Sequence, residues 1–193
     1  MVKTIPLESG DAIIVNWNTI GHLAGWIESL YATSKTLPQC GAMTALVIDQ
    51  NEKIYSHGGC ITPRLHFPAS AAMGEKHFGQ YPGIREVEVT HFVCGIIKKE
   101  LMKKLKIPDN LGENPFVDAD FCLKARKLGF KIYASDQTIV QFAGNAVVNL
   151  TEEEYTSKFE TAYEDFNKRW GEYFERKMRL PAMYHTSVGA PSG

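Results

Sequence analysis

The run Ala12-Ile13-Ile14-Val15 is short, rich in β-branched side chains, and followed by polar Asn16 and Asn18. Such a run folds as a buried strand that delivers polar side chains at its carboxyl end. A second apolar run, Ala42 to Ile48, makes the same demand for cover. Between them Leu23, Trp26, Ile27, Leu30 and Tyr31 recur at helical spacing until Pro38 stops the segment. Strands alternating with an amphipathic helix predict an α/β fold, a mixed β-sheet flanked by helices.

The rest of the chain extends that pattern. Asp49-Gln50-Asn51-Glu52 is turn chemistry and Lys53 to Ser56 returns as a strand, so residues 42–57 predict a hairpin. Glu86 to Val93 reads as a further strand and Ile97 to Leu105 as a short basic helix. Val117 to Leu128 has an apolar helical face, with Gly129 placed for a C′ glycine. Two short strands follow, Phe130 to Tyr133 and Thr138 to Phe142. A long helix then opens at Thr151, with Glu154 completing a capping box and Tyr155, Phe159, Ala162, Tyr163, Phe166 and Trp170 as its stripe. Gly58 to Gly83 is studded with Gly and Pro and has no periodicity; loops of that length are functional or disordered more often than idle.

The chain has 193 residues, 44 % apolar and 22 % charged, which suits one domain over 1–180 with a loose tail over 181–193. Lys and Arg number 21 against 22 Asp and Glu, a balance that argues against a dedicated nucleic-acid binder. No apolar run approaches bilayer length, and the opening MVKTIPLESG lacks the apolar core of a signal peptide. Cys40, Cys60, Cys94 and Cys122 are scattered, as in a reduced cytoplasmic protein.

Asp118-Ala119-Asp120, at the start of the 117–128 helix, is the sharpest candidate for chemistry. Either one Asp caps the helix, or one is a general base that deprotonates a bound hydroxyl. Two residues apart they cannot share a helix face, so at most one is the base while the other caps or binds. Asn16-Trp17-Asn18-Thr19 either faces a ligand crevice at the strand end or turns the chain and caps the next helix at Thr19. Gly58 and Gly59 either let backbone approach a phosphate or sugar or make a tight turn. His91 is a catalyst or a hydrogen-bonded core residue. Lys98, Lys99, Lys103, Lys104 and Lys106 touch an anionic membrane surface or form a solvated helix face. The six histidines show no metal-ligand spacing, and there is no Walker loop or dinucleotide fingerprint.

Taken in order, these pieces resemble the family 2 glycosyltransferases, which have the GT-A fold. Residues 9–19 are similar to that family's strand running into an Asn-x-Asp-Thr motif, and 25–30 to the helix after it. The hairpin ending at Gly58-Gly59 and the segment Val93-Cys94-Gly95-Ile96-Ile97-Lys98-Lys99 also resemble family segments. The strongest match is Val117-Asp118-Ala119-Asp120-Phe121-Cys122-Leu123-Lys124, which is similar to Glu-Asp-x-Asp-Leu-Cys-Leu-Arg; Phe166 to Gly171 is like a late Phe-x-x-Lys-Trp.

The resemblance implies an inverting transfer from a nucleotide-sugar donor to a sugar acceptor, with Asp118 as general base. It places Asn16, Asn18, Gly58, Gly59, His91, Cys94, Gly95 and Asp120 around the substrates. Mg²⁺ or Mn²⁺ is implied at Asn18, where the family has a carboxylate; a neutral amide is the weaker ligand for a hard cation. Val117 stands where the family has an acid, and Gln141 or Phe142 where many members carry His. The amino-terminal βαβ unit that seats the nucleotide base either has no counterpart before Ser9 or, with Ile13 to Thr19 resembling the family's first strand, is removed by an internal deletion; a homodimer or partner chain is expected to supply it. The alternatives are a non-catalytic carbohydrate- or protein-binding module, and an unrelated small α/β enzyme using Asp120 or His91.

Overall fold

The computed structural model describes residues 3–8, 10–16, 19–21, 25–112, 114–142 and 152–179. Along the chain come β1 (Lys3–Pro6), β2 (Ala12–Asn16), β3 (Thr19–Gly21), α1 (Trp26–Thr36), β4 (Cys40–Ile48), β5 (Ile54–Ser56) and β6 (Gly59–Ile61). They are followed by β7 (Pro68–Ser70), β8 (Ile84–Val87), β9 (Cys94–Lys98), α2 (Lys99–Met102), α3 (Pro115–Lys127), β10 (Lys131–Phe142) and α4 (Glu152–Arg179).

The main sheet runs β1-β2-β9-β4-β10-β3, with β5 paired to β4 and β8 to β10; β6 and β7 form a separate hairpin. β10 lies parallel to β4, whereas β9 is antiparallel to both β2 and β4. β2, β4 and β10 therefore point the same way, and their carboxyl ends share one edge. The sheet is mixed and flanked by helices, as the alternation of runs predicts.

Successive residues of the central strands serve opposite faces. Val15, Ala42, Ile97 and Ile132 join the core beneath α3 and α4, with Phe116, Phe121, Phe166 and Trp170. Their neighbours Ile14, Met43, Ile96 and Tyr133 pack beneath α1 with Leu30. Both faces are covered, which is why these strands read as near-continuous apolar runs. Gly95 lets β9 lie close to β4: a Cβ there would stand 2.7 Å from the Met43 carbonyl oxygen.

The hairpin expected over 42–57 is present, with Val47 opposite Ser56 and Ile48 opposite Ile54. Other boundaries differ. The strand expected over 86–93 ends at Val87, and β9 begins only at Cys94. The basic helix expected from Ile97 is strand through Lys98, because Ile96 and Ile97 pair between β2 and β4; only Lys99–Met102 is helical. The two short strands after Gly129 are one strand, interrupted by a register shift between Ser135 and Ile139. Thr19 does not cap a helix: it starts β3, opposite Phe142. Gly58 to Gly83 holds the β6–β7 hairpin. Nothing in the sequence announces β1, because four residues ending in Pro carry no period. Asn18, Thr151 and the tail over 181–193 lie outside the described residues.

Candidate functional site

At the start of α3, Asn114 accepts the Phe116 N–H at 2.9 Å and Pro115 occupies the first turn. A side-chain acceptor followed by a residue with no N–H is a complete helix start. Neither Asp118 nor Asp120 is the cap, and both are released for other partners.

The Asp118 carboxyl is 1 % exposed. Its Oδ2 accepts the Phe92 N–H at 3.0 Å and its Oδ1 accepts the Gly112 N–H at 2.6 Å. Amides bonded to a carboxylate make stronger contacts than neutral pairs. Asp118 thus staples the connection before β9, and the loop before α3, to the carboxyl edge of the sheet. His91 Nε2 stands 3.2 Å from Oδ2, off the line of a hydrogen bond, and is itself buried. Burial drives the His91 imidazole down to about 4, opposed by a backbone contact with Gly112. The carboxylate beside Nε2 favours the protonated ring, so the pair holds two opposing demands.

Aromatic rings continue the row. His91 stacks on Tyr55 with centroids 5.9 Å apart, and Tyr55 stacks on Phe142 at 4.8 Å. The end of β10, the middle of β5 and the start of α3 are thereby joined through Phe142, Tyr55, His91 and Asp118. Tyr55, Gly112 and the Phe92 amide went unmarked in the sequence, since each acts through position or backbone rather than residue type. In the sequence Phe142 is marked only as the end of an expected strand and as one of two positions where the resembled glycosyltransferases often carry His.

Asp120 faces elsewhere. Its Oδ1 accepts from Arg169 at 2.7 Å and from the Trp170 indole at 2.9 Å, and Lys124 lies 2.6 Å from Oδ2. Burial pushes this carboxyl up, but Lys124, Arg169 and Trp170 together outweigh it and hold it below its ordinary value. Asp120 anchors α4 on α3.

Of the other expected site residues, Asn16 ends β2 opposite Cys94, which is fully buried. Gly58 has φ +65°, and a Cβ there would meet Val87 at 2.6 Å. A Cβ on Gly59 would lie 1.8 Å from the Ala69 carbonyl oxygen. The geometry therefore gathers Asn16, His91, Cys94, Gly95 and Asp118 at one edge, whereas Gly58 and Gly59 make close backbone packing around β6, β7 and β8.

A second buried imidazole lies in that packing. His57 is wholly buried, and Arg85 Nη2 stands 2.9 Å from both its Nδ1 and its carbonyl oxygen. Because the guanidinium only donates, Nδ1 accepts and the ring proton sits on Nε2. Burial, and then the Arg85 charge, push this ring down to about 4.

Among the described residues no group of three or more His, Cys, Asp or Glu is placed to hold a metal ion. Asn16 offers a neutral amide, and both Asp118 oxygens already serve backbone amides. Asn18, the residue at which the resemblance implies Mg²⁺ or Mn²⁺, lies outside the described residues. No helix among the described residues is long and apolar enough to cross a membrane. A scan against protein-family models returns no match, and neither does a search of curated proteins.

Proposed function

We propose that the chain is a glycosyltransferase-like domain of the GT-A kind, which moves a sugar from a nucleotide-sugar donor to a hydroxyl acceptor with Asp118 as general base. The observation that carries this reading is the place of Asp118. It sits in the first turn of α3, at the edge where β2, β4 and β10 end, and such edges are where open α/β sheets take ligands.

A carboxylate oxygen can accept two hydrogen bonds. Oδ2 accepts the Phe92 N–H, and His91 Nε2 stands 3.2 Å from the same oxygen. An acceptor hydroxyl that displaces the imidazole donates to Oδ2 in its place. The proton passes to Asp118 as the acceptor oxygen forms its bond to the anomeric carbon, and the bond to the nucleoside diphosphate breaks on the opposite face. The reading includes cytoplasmic residence and a second chain that supplies the seat for the base.

A binding module without catalysis is the second reading, favoured by an Asp118 whose two oxygens are engaged and buried. Titration calorimetry with UDP-, GDP- and dTDP-sugars, followed by product analysis with glycan acceptors, separates the two. Donor binding with sugar transfer is expected. Glycan binding with no transfer selects the module, and folded protein silent to every donor and glycan overturns both. Sedimentation at the assay concentration tests the partner, since full activity from a monomer refutes it.

A further inference from the structure

The pole of the sheet opposite Asp118 collects positive charge from segments far apart in sequence. Lys98 ends β9 opposite Ala12, and the Lys99 N–H bonds to the Asp11 carbonyl, so α2 begins at the amino end of β2. Lys131, at the start of β10, is opposite Cys40 at the start of β4. A Cβ on Gly41 would touch Phe130 and Leu101, and the Lys104 ammonium lies 5.3 Å from the Phe130 ring centroid. The 98–106 lysines, the end of α1 and the junction of α3 with β10 therefore form one surface.

On that surface Lys99, Lys103, Lys104 and Lys106 are exposed, and no carboxylate pairs with them among the described residues. Exposed Lys35 and Lys127 flank them, resting over Tyr31 and over Trp170 and Tyr173. The carboxylates nearby include Asp11 and Glu86, held by Tyr31 and by Lys131 with Arg126, together with exposed Glu8 and Glu100. Leu128, at the end of α3, adds an apolar side chain that is 44 % exposed. Charge is thus polarised on a chain whose formal net charge is −1.

We infer that this lysine pole is a docking surface for an anionic lipid bilayer. Compact ammonium groups on flexible stems suit a diffuse layer of headgroup charge, whereas planar recognition of bases or single phosphates favours arginine forks and stacking aromatics. The exposed Leu128 offers the apolar component that makes weak electrostatic adsorption persist. Docked this way, the Asp118 edge faces the aqueous phase, and the inference stands whether or not the domain transfers sugar.

Co-sedimentation of the full chain with phosphatidylcholine vesicles, with and without phosphatidylglycerol, tests it. Binding is expected only with the anionic lipid and is lost at high salt. Each lysine near an anionic surface is worth about fivefold in partitioning, so K99E/K103E/K104E/K106E is expected to lower it by at least ~10-fold. K53E/K76E, at the far pole, is expected to change it by less than ~2-fold. All six side chains are exposed, and circular dichroism checks that each variant is folded. No binding to anionic vesicles, equal loss in both variants, or retention on single-stranded nucleic acid but not on vesicles would overturn the inference.

Discussion

The Phe92 backbone N–H donates to Oδ2 of Asp118 at 3.0 Å, and both residues are wholly buried. The bond reaches 26 residues along the chain. It takes an amide that a sheet ladder could have used and helps end strand structure between Val87 and Cys94.

That staple makes Asp118→Asn more than a chemical knockout. An asparagine can accept from one amide but turns its own N–H₂ towards the other, leaving a buried donor unmatched. We expect a loss of about 1–3 kcal/mol in folding stability besides abolished transfer. Urea denaturation measures the first. Sugar transfer assayed well below the variant's unfolding midpoint measures the second, and unchanged turnover there removes Asp118 from the base position.

Asp120→Ala is expected to loosen α4 and leave the Asp118 edge in place. The indole N–H of Trp170, a residue only 2 % exposed, loses its acceptor and Arg169 its partner. Arg169 and Lys124 are about half exposed, so their ion pairs add little, and the indole dominates a cost of roughly 1–3 kcal/mol. A red shift of tryptophan fluorescence ahead of the global transition reports it. Because the Asp120 pKa is held low, its contribution is present above pH about 3.8 and is lost as pH falls further.

His57 and His91, both pushed down to about 4, shape the acid limb of stability together, and His57 is the one remote from the Asp118 edge. Its ring titrates near 4 in the folded chain against 6.5 in the unfolded one. Between those values the unfolded chain binds a proton that the folded chain refuses, so stability falls as pH drops from 6.5 towards 4 and is complete above 6.5. The slope approaches ~1.4 kcal/mol per pH unit for this one group. His57→Asn keeps an acceptor for Arg85 and removes the titration. The pH dependence across this range should become shallower in that variant, with His91 supplying the remainder, and an unchanged slope would assign the acid limb to other groups.

Glycines divide by what surrounds them. Gly59→Ala drives a methyl into the Ala69 carbonyl and should cost at least about 1–3 kcal/mol, with loss of the β6–β7 pairing. Gly171 lies inside α4, where an added Cβ would find nothing within 4 Å, so Gly171→Ala should stabilise by about 0.5–1 kcal/mol. Thermal melts of the two variants should move in opposite directions.

Local chemistry alone was enough to establish several features. Runs such as 12–15 and 42–48 demand strands because no other short element buries so many β-branched side chains. Asp49 to Lys53 turns the β4–β5 hairpin because the Asp49 carboxyl accepts the Asn51 and Lys53 amides. The C′ position of α3 was equally legible, since Gly129 has φ +85°. Each depends on neighbours within a few residues.

Tertiary structure decided the rest. The sequence from Ile97 suits a helix, but Ile96 and Ile97 are strand because β2 and β4 lie on either side to pair with them. Asp118 and Asp120 are the same residue type on one helical turn. One meets two backbone amides and an imidazole; the other meets Lys124, Arg169 and Trp170. Gly112 and Lys124 are near in the chain, but Phe92, Arg169 and Trp170 are 26, 49 and 50 positions away and come within reach only when the sheet and α4 have packed. The basic pole is shared between sequence and tertiary structure, because the 98–106 lysines already cluster in the sequence and folding adds Lys35, Lys127 and Lys131 from distant segments.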